Sequence, residues 1–284
     1  MNTQKVWFIT GASRGFGLEV ARAALAAGDR VIATVRRQPE HLTATLNNHP
    51  DLYVVPMDVT QEDQLQAAVQ QGIARFDRID VLVNNAGYGI VTAIEEATDA
   101  EVRKQYDTNV FGLLNVTRAV LPYLRQQKSG HIINISSLFG YDAVPGWGLY
   151  GSTKFAVEGL SKGLAIELAP LGIHVTVVAP GLFSTDFLSV ESYVAAKTII
   201  EDYQETVGPM RSGADALHGN QPGDPKKFAQ VITQLANTER PPLHLPVGKD
   251  AVDFYQNNVT KMTQDIETWL TVATSTDHEH RIAA

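Results

Sequence analysis

The feature that most constrains the fold of this chain is a regular alternation of short apolar segments with longer helical ones. Each apolar segment is continuous, which is typical of strands that are buried on both faces of a parallel sheet. Right-handed crossovers then predict an α/β domain with a doubly wound parallel sheet. The predicted strands are Lys5–Thr10, Arg30–Val35, Leu52–Pro56, Asp80–Val83, His131–Ile135 and Ile173–Val178. The predicted helices between them are Gly15–Ala27, Gln61–Phe76, Asp99–Arg125 and Gly148–Ala169.

The alternation weakens after Pro180. Glycines and prolines interrupt residues 186–225, and long irregular insertions of this kind often act as lids over a bound ligand. A last strand is predicted at Leu243–Val247. Because no linker divides the chain, we expect residues 1–274 to form a single domain, followed by a disordered tail at 275–284.

The predicted C-terminal helix, residues 249–271, carries large apolar side chains at spacings of 4, 3, 4 and 3. They form a stripe on one helical face. Such a stripe can pack on its own domain or on a partner, and we expect it to pack on its own domain. We refer to it as the C-terminal stripe: Tyr255, Val259, Met262, Ile266 and Trp269.

Composition excludes several classes of function. The chain of 284 residues has a net charge of −8, which disfavours nucleic acid and anionic membranes as partners. It contains no cysteine, so disulfides, thiolate catalysis and cysteine-ligated metals are excluded. No His, Asp or Glu cluster suggests a metal site. Since neither a secretory leader nor an apolar run of about 18 residues is present, we expect a cytoplasmic protein without a membrane span.

A glycine-rich turn, Thr10–Gly17, lies between the first predicted strand and the first predicted helix. Its glycines allow the backbone to approach a pyrophosphate, and the helix N-terminus offers free N–H groups to it. Gly11, Gly15 and Gly17 have the spacing Gly-x3-Gly-x-Gly, which differs from the commonest dinucleotide fingerprint. No Gly-Lys-Ser/Thr follows, so an ATP-binding loop does not fit. The turn therefore predicts a dinucleotide site.

With this turn the chain resembles the short-chain dehydrogenase/reductase family, and further family motifs follow in order up to about residue 185. Asp58 resembles the residue that contacts the adenine amine, Asn84–Gly87 the Asn-Asn-Ala-Gly signature, and Pro180-Gly181 with Thr185 the nicotinamide-binding segment. The resemblance implies a Rossmann-type fold and a nicotinamide cofactor. The expected cofactor contacts are Gly11, Ser13, Arg14, Gly15, Phe16, Gly17, Arg36, Asp58, Val59, Asn85, Ala86, Gly87, Tyr150, Lys154, Pro180, Gly181 and Thr185.

The candidate catalytic pair is Tyr150 and Lys154, which share one helical face. A tyrosine with a pKa near 10 is a poor proton donor or acceptor at neutral pH, and a nearby ammonium lowers that pKa. The same spacing occurs at Tyr193 and Lys197, inside the predicted lid. In the family a serine lies 13 residues before the tyrosine. This selects Ser137 for Tyr150 but a proline for Tyr193, so we interpret the second pair as coincidental.

The resemblance completes a tetrad with Ser137 and Asn109. Ser137 follows a predicted strand, where the carboxyl end of a parallel sheet binds ligands. Its hydroxyl can orient and polarise a substrate oxygen. Asn109 lies within a predicted helix and could face solvent. The resemblance instead implies that it holds a water molecule linking Lys154 to bulk solvent.

The end of the second predicted strand predicts the type of nicotinamide cofactor. An acidic residue there would bind the ribose diol of NAD and repel a 2′-phosphate. The family's acidic position falls on Val35, which Arg36 follows. Since arginine recognises phosphate through two hydrogen bonds, we expect NADP(H).

The remaining aromatic and apolar residues predict an apolar pocket. The expected walls are Tyr88, Leu138, Tyr141, Val144, Trp147, Phe183, Phe187, Leu188, Tyr193, Tyr203 and Met210. The chain resembles most closely the 17β-hydroxysteroid and retinol dehydrogenase-like branch, which includes bacterial carbonyl reductases. His218 in the predicted lid could contact a substrate, but a single loop histidine is more often exposed to solvent.

The resemblance implies an NADP(H)-dependent enzyme that interconverts a carbonyl compound and an alcohol. One alternative is a non-catalytic NADPH-binding sensor on the same fold. The intact tetrad argues against it. A second is a sugar-nucleotide epimerase or dehydratase, whose Gly-x2-Gly-x2-Gly turn is absent. In relatives, the helices corresponding to Asp99–Arg125 and Gly148–Ala169 pack against symmetry mates, so a homodimer or homotetramer is expected.

Overall fold

All seven strands that the sequence predicts are present in the computed structural model, which describes residues 4–188, 193–195, 198–217 and 219–278. They form one parallel sheet in the order β3-β2-β1-β4-β6-β7-β9. The strands of the sheet are β1 Val6–Ile9, β2 Arg30–Val35, β3 Leu52–Pro56, β4 Val81–Asn84, β6 Gly130–Ile135, β7 Ile173–Pro180 and β9 His244–Val247.

Helices cover both faces of this sheet, because successive strand residues point to opposite sides. In β1, Trp7 and Ile9 belong to the core beneath one set of helices, whereas Val6 and Phe8 belong to the core on the other face. The helices are α1 Gly15–Ala26, α2 Pro39–Thr45, α3 Glu62–Phe76, α4 Asp99–Tyr106, α5 Leu113–Gln127, α6 Gly148–Leu168, α7 Gly208–Leu217, α8 Pro225–Ala236 and α9 Lys249–Thr274.

The strand order reverses between β1 and β4, which leaves a crevice at the carboxyl ends of the strands. Ligands of open α/β sheets bind in such a crevice. The protein is a single-domain, Rossmann-type doubly wound sheet, as the sequence predicts.

The predicted stretch Asp99–Arg125 is helical throughout, but it is not one regular α-helix. A π-helical segment, Asp107–Gly112, separates α4 from α5. A π turn adds one residue to the helix and rotates the side chains that follow, and such turns are frequent at functional sites. Here it turns Asn109 into the interior, where the side chain is 2% exposed.

Where the structure describes the predicted lid, it contains the regular helix α7 and two 3₁₀ turns, Asp186–Leu188 and Glu201–Tyr203. A second, two-stranded parallel sheet joins β5 (Gly89–Val91) to β8 (Tyr193–Ala195), a pairing that the sequence pattern does not predict. Both are only three residues long, too short for a hydrophobic period to be visible.

A buried ion pair attaches this region to the rest of the domain. Arg211 of α7 donates to the carboxylate of Glu96, and the N–H of Ile200 donates to the other carboxylate oxygen at 2.9 Å. Burial opposes the ionisation of Glu96, but hydrogen bonds from Ile200, Arg211 and Ala93 outweigh it and lower the pKa to about 2. Glu96 is therefore ionised at neutral pH.

The expectation that the C-terminal stripe packs on its own domain was wrong. The first half of α9 contacts the domain, where Ala251 is buried, Tyr255 packs edge-on against Tyr141 and Lys261 lies 3.5 Å from Asp142. The side chains of the C-terminal stripe after Tyr255 are nevertheless exposed, from 45% at Val259 to 63% at Trp269. A periodic apolar pattern indicates that one face of a helix can be buried, but it does not specify which surface covers that face.

Within the described residues, none of the helices combines the length and the apolar character that a transmembrane segment requires. The predicted tail at 275–284 lies partly outside the described residues, which end at His278.

Candidate active site

The glycine-rich turn has the geometry of an anion-binding site. Gly11 and Gly15 adopt positive φ angles of 65° and 55°. No side chain caps the N-terminus of α1, and its first turn has no acidic residue, so its N–H groups and positive dipole face the crevice. A Cβ atom on Gly17 would overlap the carbonyl oxygen of Gly11. These features fit a pyrophosphate at the turn.

The close packing at Gly17 predicts a stability effect. Gly17→Ala should lower the free energy of unfolding by about 1–3 kcal/mol, because the added methyl group must displace backbone. Gly148→Ala is the matched control, since its Cβ would lie 3.5 Å from Ile94 in an ordinary contact. Urea denaturation of the wild type and both variants measures the difference. Equal stability of the two variants would contradict the prediction.

Two polar residues connect the turn to the neighbouring strand. The Thr10 hydroxyl accepts hydrogen bonds from the N–H groups of Asn85 and Ala86, each at 3.0 Å. The Asn85 amide in turn donates to the carbonyl oxygens of Thr10 and Gly11. These contacts fix the end of β1 to the end of β4. The structural role of Thr10 was not predicted, since its partners lie 75 residues away.

Tyr150 and Lys154 lie on one face of α6 with their side chains directed towards Ser137. Both are almost fully buried, with exposures of 5% and 6%. The side chain of Ser137 lies next to the Tyr150 hydroxyl, close enough to favour its ionised form. The Lys154 Nζ donates to the carbonyl oxygen of Ile135 at 2.8 Å and lies 5.6 Å from the Tyr150 ring centroid. The structure therefore brings together three of the predicted tetrad residues.

The pKa values of this pair are dominated by burial. Desolvation raises the pKa of Tyr150 above its usual value, and the neighbouring Ser137 side chain opposes this rise only partly. Desolvation lowers the pKa of Lys154 to about 8, while the nearby Glu158 carboxylate raises it. The sequence led us to expect a lowered pKa for Tyr150. The structure differs because the phenol is buried, and the loss of water around it disfavours the ionised form.

Asn109, the fourth tetrad residue, lies behind the other three rather than facing solvent. Its Oδ1 accepts from the N–H of Tyr88 at 3.1 Å, and its Nδ2 donates to the Tyr88 carbonyl at 2.9 Å and to Thr153 at 3.1 Å. A Cβ on Gly87 would lie 3.2 Å from Asn109 Oδ1 and 3.8 Å from Lys154 Nζ. Glycine at position 87 therefore keeps the space beside Asn109 and Lys154 free of a side chain.

The competing Tyr193-x3-Lys197 pair cannot be compared with this geometry. Lys197 lies outside the described residues, and only the backbone of Tyr193 is described, as part of β8. His218 also lies outside them.

A single cleft of about 1870 Å³ joins the glycine-rich turn to Tyr150. Every expected cofactor residue except Gly17 lines it, and Gly17 is buried beneath the turn. The cleft is long enough to pass from Arg36 and Asp58 at one end to Thr185 at the other. Its shape and its glycine-rich wall fit an extended dinucleotide.

The adenosine end of the cleft lacks a carboxylate where β2 ends. β2 stops at Val35, as predicted, and that side chain is buried. Arg36 and Arg37 follow it along the wall and are exposed. Thus the charge facing this part of the cleft from the end of β2 is positive.

Most of the expected apolar wall faces the other end of the cleft. Tyr88, Leu138, Val144, Trp147, Phe183, Phe187 and Met210 line it. The ring centroids of Trp147 and Phe187 are 6.4 Å apart, and both rings pack near the Tyr150 ring. Phe183 mainly packs against Phe16 and Phe228 in the core.

Two of the expected wall residues lie elsewhere. Tyr141 packs on Tyr255 and does not line the cleft. Tyr203 does not line it either, because its hydroxyl donates to Glu95 at the surface at 2.6 Å. The side chains of Leu188 and Tyr193 are outside the described residues.

Asp250 was not predicted as part of the site. It lies in the first turn of α9, and its Oδ2 accepts from the N–H of Leu182 at 2.6 Å. A Cβ on Gly181 would overlap the same carboxylate. Asp250 therefore holds the Pro180-Gly181 segment in place across 68 residues of sequence.

Comparison with known proteins agrees with this geometry. Residues 5–193 match the short chain dehydrogenase family. The chain belongs to the short-chain dehydrogenase/reductase family. It is 42% identical over 267 residues to oxidoreductase BOA17 of Botryotinia fuckeliana, covering 93% of this chain and 96% of that protein. It is 38% identical over 245 residues to 3-ketodihydrosphingosine reductase of Bacteroides thetaiotaomicron, covering 86% and 88%.

Solved structures of the family show the same fold. A short-chain dehydrogenase from Streptomyces avermitilis superimposes with a TM-score of 0.90 at 41% identity, covering 97% of this chain and 100% of that one. ElxO with NADP bound superimposes with a TM-score of 0.72 at 29% identity, covering 88% and 100%. The protein is an oxidoreductase of the short-chain dehydrogenase/reductase family, and NADP-bound structures occur among its neighbours.

Proposed function

We propose that this protein is an NADP(H)-dependent reductase or dehydrogenase that interconverts a ketone or aldehyde with an alcohol on an apolar or aromatic substrate. The observation that carries the proposal is the placement of Ser137 next to the Tyr150 hydroxyl, beside Lys154 in the cleft. A neutral hydroxyl pair of this kind can exchange a proton with a substrate oxygen.

Each residue of the group has a distinct role in this proposal. The Tyr150 hydroxyl donates its proton to the carbonyl oxygen, or removes one from the alcohol. Ser137 orients that oxygen and donates a hydrogen bond as negative charge develops. Lys154 stabilises the resulting phenolate through its positive charge, and Asn109 holds the water that restores the proton. The nicotinamide cofactor, when bound along the cleft, supplies or accepts the hydride.

Two observations support the type of substrate and cofactor. The wall formed by Trp147 and Phe187 next to Tyr150 is aromatic, which favours an apolar or aromatic substrate. The absence of a carboxylate at Val35, together with Arg36, favours NADP(H) over NAD(H). The names of the relatives agree, since one reduces a 3-keto compound and one structural neighbour holds NADP.

The proposal is tested by measuring NADPH consumption against a panel of aliphatic, aryl, steroidal and retinoid carbonyl compounds. We expect turnover with at least one apolar class and slower turnover with carboxylated analogues. Tyr150→Phe is the inactive control. NADPH binding without turnover of any carbonyl would instead identify a non-catalytic NADPH-binding protein.

We also propose that the protein is a homodimer or homotetramer. Large apolar side chains are exposed on the π-helical segment and on α6, with Phe111 at 52%, Phe155 at 47% and Ile166 at 77%. Exposed apolar surface of this kind is typical of a contact between subunits. Light scattering at micromolar concentration should give a mass of two or four chains. A strictly monomeric mass would reject this expectation.

A further inference from the structure

Glu158 is a buried carboxylate that the proposed reaction does not use. It lies on α6 one turn after Lys154, and residues at this spacing are neighbours on a helix. It is 5% exposed. A charged group is seldom buried without a specific interaction, because removal from water is costly. The burial of a carboxylate one helical turn after Lys154 therefore needs a structural reason.

The carboxylate is held at a fixed place between three elements of the fold. Oε2 lies 3.1 Å from Nδ1 of His244, the first residue of β9. On another side lies Ser136, which follows β6, and Gly140 leaves room for both side chains because a Cβ there would overlap the Ser136 hydroxyl. The contact with His244 thus fixes the carboxylate beside Ser136, next to the turn that carries Lys154.

Several other groups face Glu158. Lys154 and Lys162 flank it on α6, and both favour its ionised form. Tyr141 faces it from the segment before α6, and the pKa of that tyrosine is raised by burial and by the Glu158 charge. Among the described residues, Glu158 Oε1, Ser136 Oγ and Tyr141 Oη have no hydrogen-bond partner within bonding geometry. Lys154 is a buried cation one helical turn away from a carboxylate that is only partly compensated.

Burial shifts the pKa values of Glu158 and Lys154 towards each other. Burial raises the pKa of Glu158 to about 7, although Ser136, Lys162 and Lys154 each lower it. Burial lowers the pKa of Lys154 to about 8, and Glu158 opposes that change. As pH rises, Glu158 loses its proton before Lys154 does. The negative charge appears in the pH range in which Lys154 would otherwise become neutral.

We propose that Glu158 is a positioning residue of the active site, whose carboxylate keeps Lys154 in its cationic form. This inference rests on the proposed function for its consequence in catalysis, because the cationic lysine stabilises the Tyr150 phenolate. The effect of Glu158 on the pKa of Lys154 does not depend on the proposed reaction.

Replacement of Glu158 by glutamine tests the inference through the pH profile. Glutamine keeps the shape and removes the charge, so Lys154 should lose its proton at lower pH. The alkaline limb of kcat/KM for carbonyl reduction should then move down by about one pH unit, which is roughly tenfold at pH values above the limb. At lower pH, where the wild-type carboxyl becomes protonated, the activities of the two enzymes should converge.

Glu167→Gln is the matched control, because it makes the same chemical change on the exposed side of α6. It should leave the whole profile unchanged. A loss of activity in Glu158→Gln that is equal at every pH would show a structural role only and would overturn the inference. An unshifted limb would also overturn it.

A second measurement does not depend on catalysis. The protonation of Lys154 can be followed by ¹³C NMR of the cofactor-free protein carrying lysine labelled at Cε, with Lys154→Arg used to assign the resonance. We expect the Lys154 resonance to titrate at lower pH in Glu158→Gln than in the wild type. The same titration midpoint in both proteins would refute the inference, whereas failure to find any carbonyl substrate would refute only the proposed function.

Discussion

Tyr150→Phe is expected to lower kcat for carbonyl reduction by about 10²–10⁴-fold, which is the range that a positioned proton donor contributes. The substitution keeps the ring, so its packing against Trp147 and Phe187 should persist. The affinity for NADPH should therefore change little. Steady-state kinetics and fluorescence titration with NADPH measure the two quantities separately.

Two further variants make this prediction specific. Lys154→Ala should reduce both turnover and NADPH affinity, because the family resemblance also assigns Lys154 to the nicotinamide ribose. Tyr193→Phe should leave turnover unchanged, since Tyr193 belongs to the pair that we interpret as coincidental. If Tyr193→Phe were the inactivating change and Tyr150→Phe were harmless, the wrong pair would have been chosen.

The wild-type enzyme is expected to prefer NADPH over NADH by roughly 10- to 150-fold in kcat/KM. A hydrogen bond between arginine and phosphate contributes about 1.5–3 kcal/mol, and every 1.4 kcal/mol corresponds to a factor of ten. Arg36 lies on the wall of the cleft immediately after β2 and can supply this contact. Arg36→Ala should weaken NADPH and leave NADH almost unchanged, because only NADPH carries the 2′-phosphate.

Val35→Asp tests the same site from the opposite direction. A carboxylate at the end of β2 should repel the 2′-phosphate and accept hydrogen bonds from the ribose diol, so the preference should fall and can invert. Measurement of kcat/KM with both cofactors in the wild type and the two variants decides the question. Wild-type preference for NADH, or an equal loss of kcat/KM with both cofactors in Arg36→Ala, would place the recognition of the 2′-phosphate elsewhere.

The sequence alone predicted the features that depend on nearby residues. Each strand of the main sheet is a short apolar run, and a run of this kind is typical of a buried strand. The glycine-rich turn was visible because Gly11 and Gly15 adopt backbone angles that other residues avoid. The Tyr150-x3-Lys154 spacing places both side chains on one face of any helix, and the family's serine spacing distinguished this pair from Tyr193-x3-Lys197.

Tertiary structure alone decided the features that depend on distant contacts. The π-helical segment buries Asn109 through hydrogen bonds to Tyr88, 21 residues earlier. Glu158 meets His244 across 86 residues, and Asp250 holds Leu182 across 68.

The same limit explains two further expectations that were wrong. The pKa of Tyr150 is raised because its ring is buried, and burial depends on every element that packs around it. The C-terminal stripe is exposed although its period is that of a buried face. A local pattern determines which conformation a segment adopts, because backbone angles and side-chain spacing are local properties. Which surface covers that segment, and how much water remains around a charge, depends on the whole folded chain.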